Sequence, residues 1–325
     1  MSAASPTTTT PNLTMRERLQ APEVTTGALL VLLVLGLTAF RPDFLAPANI
    51  NDILINSAYV AIAAVGMTLV IISGAIDISI GSMLAVCAVV AGNAAQVGIP
   101  MPLVVLLTII AGGAMGLLNG TLVALLNIPP IIVTLGMLSV YRGATILVTR
   151  GVWIRNLPDD FYLSQQVLLG VPLPIWAMLI VVALFAFLLR NTVWGREIYA
   201  VGGNKRAALL AGVNVRRTQL LVFVLNGLLV GLATIIYVTR FSVIQTNTGI
   251  GFELVVITAV VVGGTSILGG SGTIIGTFLA TLLLGVLGTG LLFLQISPYW
   301  LQAVQGTLIL LAVVFDILRR RSQQQ

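Results

Sequence analysis

The chain runs to 325 residues, 58% hydrophobic and only 8% charged, where soluble domains carry roughly a quarter charged residues. This excludes an ordinary soluble enzyme and describes an integral membrane protein. With no histidine and a single cysteine, Cys87, imidazole acid–base chemistry, histidine-based metal sites and an internal disulfide are excluded as well; no metal site is expected, and the net charge of +6 is assigned to membrane orientation and lipid headgroups rather than to nucleic acid.

Residues 1–24, rich in Thr, Pro and Ser, are predicted to form a disordered tail. The apolar run that follows has no small-residue cleavage site behind it and reads as a retained first span. Because a membrane helix needs roughly 20 largely apolar residues, the remaining runs predict about ten transmembrane helices. They lie near 25–41, 52–73, 78–97, 101–127, 130–149, 172–190, 217–239, 251–268, 273–294 and 298–317. The fold class is therefore all-α and polytopic, a membrane domain over 25–318 with a basic tail at 319–325. The 33 glycines and 6% aromatics favour close helix packing over a core of large rings. On the fourth span Gly112, Gly116 and Gly120 recur every four residues, which puts them on one face where a neighbouring helix can approach.

Cations set the orientation. Arg16 and Arg18, then Arg190, Arg196, Lys205, Arg206, Arg216 and Arg217, then Arg319, Arg320 and Arg321 all fall on one side of a ten-span chain, 11 against the 4 of Arg41, Arg150, Arg155 and Arg240. The richer side is predicted cytoplasmic, with both termini on it. The poorer side carries a long connection at 150–171 with Trp153, Phe161 and Tyr162 beside Asp159 and Asp160, read either as an interfacial aromatic belt or as a docking surface.

Several polar residues interrupt the spans. "SGAIDISIGS" at 73–82 places Asp77 in a tight turn among Ser73, Ser79 and Ser82. Asp77 either caps the third span from the cytoplasmic rim or sits on a turn that dips inward and lines or gates a route, the serines bonding freed backbone groups. Thr134, Tyr141, Arg142 and Glu253 are further candidates, the last two as an ion pair or as separate snorkelling charges. Asn119, Asn226 and Thr258 read as inter-helix hydrogen bonds or as contacts to a polar solute.

The connection at 195–217, "GREIYAVGGNKRAALLAGVNVRR", predicts a short amphipathic helix with Asn204 as N-cap and Gly212 as its stop. Taken alone it could lie on anionic lipid. Together with "GMTLVIISGAIDISIGS" (66–82), "IPPIIVTLGMLSVYRG" (128–143) and "GGTSILGGSGTIIGT" (263–277), however, it resembles the ABC importer permeases of the monosaccharide branch, the ribose, rhamnose and autoinducer-2 type, with the four motifs in family order. Where members commonly carry a glutamate and two alanines, this chain has Lys205, Arg206 and Ala207.

The resemblance implies a type II, vitamin B12 permease-like fold and a subunit that pairs with a second permease, a cytoplasmic ABC ATPase and an extracytoplasmic sugar-binding protein. It implies a bacterial inner-membrane location and an ATPase contact shaped by Gly202, Gly203, Asn204, Lys205, Arg206, Ala207, Ala208 and Gly212. No cofactor is expected in the chain itself, ATP and Mg belonging to the partner: the nearest approach to a phosphate loop, Gly264 to Gly269, has Gly270 where lysine is required. With few carboxylates and aromatics along the spans, the route reads as a weakly binding conduit whose selectivity rests with the external protein. The competing reading, an ion-gradient-driven transporter of a small polar solute, needs titratable groups deep in the spans, for which only Asp77 and Glu253 stand as candidates.

Overall fold

The structure, a computed structural model, describes residues 22–297 and 299–323; the predicted tail at 1–21 and residues 324 and 325 lie outside the described residues. Among the described residues the fold is all-α, with twelve α-helices and one hairpin of two-residue strands, Val167–Leu168 and Val171–Pro172. The chain passes in order through α1 (Pro22–Phe40), α2 (Pro47–Ile72), α3 (Ile80–Gln96), α4 (Met101–Ala124), α5 (Pro130–Thr149) and α6 (Leu173–Asn191). It continues through α7 (Val193–Gly203), α8 (Lys205–Leu210), α9 (Val215–Val238), α10 (Phe252–Val262), α11 (Ile274–Phe293) and α12 (Trp300–Gln323). Proline at the first or second position starts α2, α4, α5 and α6, where its missing N–H would have had no helical acceptor.

Each predicted span has a helix, but not all are of spanning length. Seven, α1, α2, α4, α5, α6, α9 and α11, are long and apolar enough to cross a membrane, whereas α3, α10 and the Trp300–Leu311 part of α12 are shorter. The span expected at 251–268 is cut hardest: its 11-residue helix rises only about 17 Å. Glycines explain this. Gly251 holds φ +78 before the helix, and at its end a Cβ on Gly263 would come within 2.6 Å of the Thr277 Cα, so Gly263 is pressed against α11 and the chain turns. At the other end of the sequence α12 continues through Arg319–Arg321, which the sequence put in a tail; no Pro or Gly intervenes after Gly306, and Arg is a good helix former.

The core is built on α2, 83% of whose apolar window is buried, while α1 and α5 bury only 11% and 22% of theirs and offer exposed apolar flanks such as Leu32, Leu35, Ile132 and Leu147 to lipid. The tightest helix pair is α4 with α9. A Cβ on Gly112 would strike the Gly227 carbonyl, one on Gly116 the Phe223 carbonyl, and one on Gly231 would lie 2.7 Å from the Thr108 carbonyl. The periodic glycines read from the fourth span are half of this seam, α9 supplying the other half.

The connection at 150–171 is folded against the bundle. Ile154 pairs with Ile244, Ser164 Oγ lies 2.7 Å from Thr239 Oγ1, and Phe161 is fully buried in a second core with Val104, Val238 and Ile244. Of the aromatics assigned to an interfacial belt, Phe161 is thus a core residue, whereas Trp153 is exposed with the Arg155 guanidinium 5.4 Å over its ring.

Candidate functional site

The predicted elbow forms as its capping residues require. The Asn204 side chain accepts from the Ala207 N–H at 3.0 Å, and Gly212, at φ +84, ends α8 while the Gly212 and Val213 N–H groups close on Leu209 and Ala208 carbonyls at 3.1 and 3.0 Å. The stretch ahead of it is more ordered than the sequence suggested. It forms α7, N-capped by Thr192, which accepts from Gly195 N at 3.1 Å, and runs through the paired glycines Gly202 and Gly203. Tyr199 on α7 donates to the Gly272 carbonyl at 2.7 Å. Burial, and then the Glu23 carboxylate, push that phenol above its ordinary value, so it remains a donor.

Not all expected contact residues face outward. Gly203, Asn204, Lys205, Arg206, Ala207 and Gly212 are exposed, while Ala208 is buried and Gly202 half-buried. Two residues missed in the sequence stand out beside them: Leu209 and Leu210 are 64% and 83% exposed, an apolar pair at the tip of a short polar helix.

Gly202 is half-buried because three chain segments meet there. A Cβ on it would overlap the Ile72 carbonyl oxygen at the end of α2 and lie 2.7 Å from the Gly270 N–H, and these two groups bond to each other at 2.9 Å. A Cβ on Gly269 would lie 2.8 Å from the Gly74 Cα, and one on Gly270 2.7 Å from the Gly203 Cα. The elbow is therefore seated, backbone on backbone, against both the turn after α2 and the loop between α10 and α11. The sequence signal was present in the glycine pairs at 202, 263 and 269, but their meeting is a long-range fact.

The turn after α2 leads straight to Asp77, which is not at an exposed rim. It is wholly buried. The N-cap of α3 is Ser79, and Asp77 Oδ1 accepts from the Ser79 N–H and Oγ at 3.0 and 2.6 Å. Oδ2 accepts from Asn226 Nδ2 at 3.0 Å and from Asn119 Nδ2 at 3.4 Å. Asn119 Nδ2 also donates to Ser79 Oγ at 2.9 Å. The Tyr141 hydroxyl lies 3.0 Å from Asn119 Oδ1 and 3.1 Å from the Met115 carbonyl. A carboxylate among four neutral donors is solvated by protein, which is what its burial requires. Ser73 donates to Val70 O at 2.7 Å, Ser82 to Ser79 O at 2.8 Å and Thr134 to Ile76 O at 3.2 Å, so the hydroxyls around the break between α2 and α3 are all satisfied by backbone carbonyls.

Asn119 links α4 to Tyr141 of α5 and to the turn before α3, Asn226 ties α9 to Asp77 in that turn, and Thr258 donates at 2.6 Å to Leu254 within its own helix. Glu253 lies in the first turn of α10, its carboxylate against Gly81. Arg142 does not snorkel: it donates to the Thr248 carbonyl at 2.8 Å and the Thr246 carbonyl at 3.4 Å, with Glu253 an electrostatic neighbour.

Residues 49–313 match the family model described as branched-chain amino acid transport system / permease component. The chain is 40% identical over 296 residues to the ribose import permease protein of Escherichia coli strain K12, covering 89% of this chain and 91% of that one. It is 38% identical over 301 residues to the L-arabinose ABC transporter permease protein of Azospirillum brasilense (92% and 89%). Against the autoinducer 2 import system permease protein of Escherichia coli O157:H7 it is 38% identical over 293 residues (90% and 86%). No solved structure matches the chain. A polytopic bundle carrying an exposed capped elbow, matched over nine-tenths of its length by three importer permeases, belongs to the permease-component family of ABC importers, whose members are membrane subunits rather than enzymes.

Proposed function

We propose that the chain passes a monosaccharide or sugar-like molecule, of the ribose, arabinose, rhamnose or autoinducer-2 type, from an extracytoplasmic binding protein into the cytoplasm of a bacterium. An ABC importer permease works with an ATPase and a binding protein; here the ATPase grips the elbow at 195–217, and a second permease subunit completes the route. The short helices α3 and α10, together with α12, complete a ten-segment, type II vitamin B12 permease-like arrangement in the inner membrane, with both termini and the elbow cytoplasmic.

The observation that carries this reading is the seat of the elbow. Closure of two nucleotide-loaded ATPases would move α7 and α8 as a rigid body. Because Gly202, Gly269 and Gly74 leave no slack between backbones, that motion reaches the α2–α3 turn holding Asp77 and the α10–α11 loop together. The exposed Leu209 and Leu210 supply an apolar patch that an interface core can bury, which compensates for the missing glutamate at Lys205. The test is a photo-crosslinking residue placed at Leu210 in cells expressing the whole importer. An adduct with the ATPase is expected; an adduct only with lipid, or labelling of that site from outside the cell, would remove the proposal.

A further inference from the structure

The long segment between α9 and α10 is partly exposed but is held to the bundle at several points, Ile244 and Thr248 being buried. Arg142, from the middle of α5, holds the carbonyls of Thr246 and Thr248, and the backbone at Gly249 (φ +80) lies so close to Gly81 that a Cβ there would strike the Gly81 carbonyl. The segment therefore dips into the bundle, and α10 starts inside it. Above that floor lie two adjoining cavities of about 270 and 390 Å³ that share Tyr237, Gly249 and Ile250. Tyr237 stands near the end of α9 far from the elbow, roughly 33 Å of helix away.

The walls have a definite chemistry. Tyr59 packs 4.9 Å from Tyr237 and 5.7 Å, nearly parallel, from Phe252 (ring centroids), making an aromatic wall. Across from it α12 contributes Gln302 and Gln305. Gln305 is only 5% exposed as a residue, and its side chain lines the larger cavity. An amide on a cavity wall can both donate to and accept from a polar ligand. Aromatic faces with polar tips, set opposite an amide that both donates and accepts, fit a ring with an apolar C–H face and a rim of hydroxyls. The larger cavity also falls within the roughly 300–1,000 Å³ of small-molecule pockets.

We infer that this cavity is an outer sugar-binding subsite of the permease, with Tyr59 and Tyr237 stacking on the sugar and Gln305 hydrogen-bonding its hydroxyls. The inference rests on the proposed sugar-import function. It revises the picture of a featureless conduit, since a released sugar would be held on entry by three residues brought together from α2, α9 and α12.

The test uses the reconstituted importer carrying Gln302→Cys, since the native Cys87 is buried and reacts slowly. A small cationic thiol reagent is applied from outside with and without whichever of D-ribose or L-arabinose the wild type takes up. The sugar is expected to slow labelling of Gln302→Cys at least three-fold and to leave Val152→Cys, on the exposed outer connection, unchanged. Tyr237→Ala should lower the sugar moved per ATP about ten-fold. Equal labelling with and without a sugar that is transported would overturn the subsite alone. A cysteine blocked in both conditions would do the same by showing lipid or a second copy in the cavity. Failure of the wild type to import any sugar would overturn the functional reading, and the subsite with it.

Discussion

The glycine junction makes neighbouring residues behave differently. In Gly202→Ala the new methyl overlaps the Ile72 carbonyl and crowds the Gly270 N–H at 2.7 Å, whereas a Cβ on Gly203 meets nothing within 4 Å. Overpacking a closed site costs about 1–3 kcal/mol, and the displaced Gly270 to Ile72 hydrogen bond adds about 0.5–1.5 kcal/mol, so the seated elbow loses about 1.5–4.5 kcal/mol. Since about 1.4 kcal/mol is ten-fold in an equilibrium, Gly202→Ala should lower the seated population at least ten-fold. The assay is binding-protein-stimulated ATP hydrolysis alongside uptake in proteoliposomes. Gly202→Ala is expected to assemble with the ATPase yet move at least ten-fold less sugar per ATP, and Gly203→Ala to match the wild type. Equal coupling in the two variants, or the reverse order, would refute the view that the junction transmits the motion.

Four other outcomes follow from the same geometry. Asp77→Asn replaces an acceptor oxygen by a donor against Ser79 or the Asn119 and Asn226 amides, and should lower the Tm in detergent, each lost bond to the carboxylate being worth about 1.5–3 kcal/mol. Gly66→Ala, whose Cβ would lie 2.6 Å from Asn226 Oδ1, should destabilise by about 1–3 kcal/mol in the same melting assay, while Gly143→Ala, with open space around it, should not. Gly112→Ala should weaken the α4 and α9 seam and lower the yield of monodisperse protein on size-exclusion chromatography, against an unaffected Gly136→Ala. Leu210→Asp should leave yield and Tm unchanged and abolish co-purification of the ATPase, because the side chain is 83% exposed and touches little of its own chain.

What the sequence disclosed and what it withheld divide along contact range. Apolar runs and proline starts located ten of the twelve helices, and Asn204 and Gly212 marked the ends of α8, because those signals act close in sequence, whereas α7 was not expected. The half-length α10 escaped because hydropathy continues past Val262; its end is imposed by Gly263 packing on α11, a contact hydropathy does not carry. Asp77 looked like a residue at a rim because its neighbours in sequence are a turn's neighbours. Its true surroundings come from Asn119 and Asn226, 42 and 149 residues away. The aromatic wall was diluted in a low overall aromatic content, since Tyr59, Tyr237 and Phe252 become a cluster only when α2, α9 and α10 are packed. Thr258 shows the opposite error, a polar residue in a span taken for a link between helices when its own helix satisfies it.

The central claim is that the chain is a passive gate driven through its elbow by a separate ATPase, not a carrier powered by an ion gradient. The direct measurement is uptake of radiolabelled ribose or arabinose into proteoliposomes holding the permease, ATPase and binding protein, with proton and sodium gradients collapsed by ionophores. Accumulation that requires ATP, persists without the gradients and disappears in Leu210→Asp is the expected result. Accumulation by the permease alone on a proton or sodium gradient, indifferent to ATP, would contradict it.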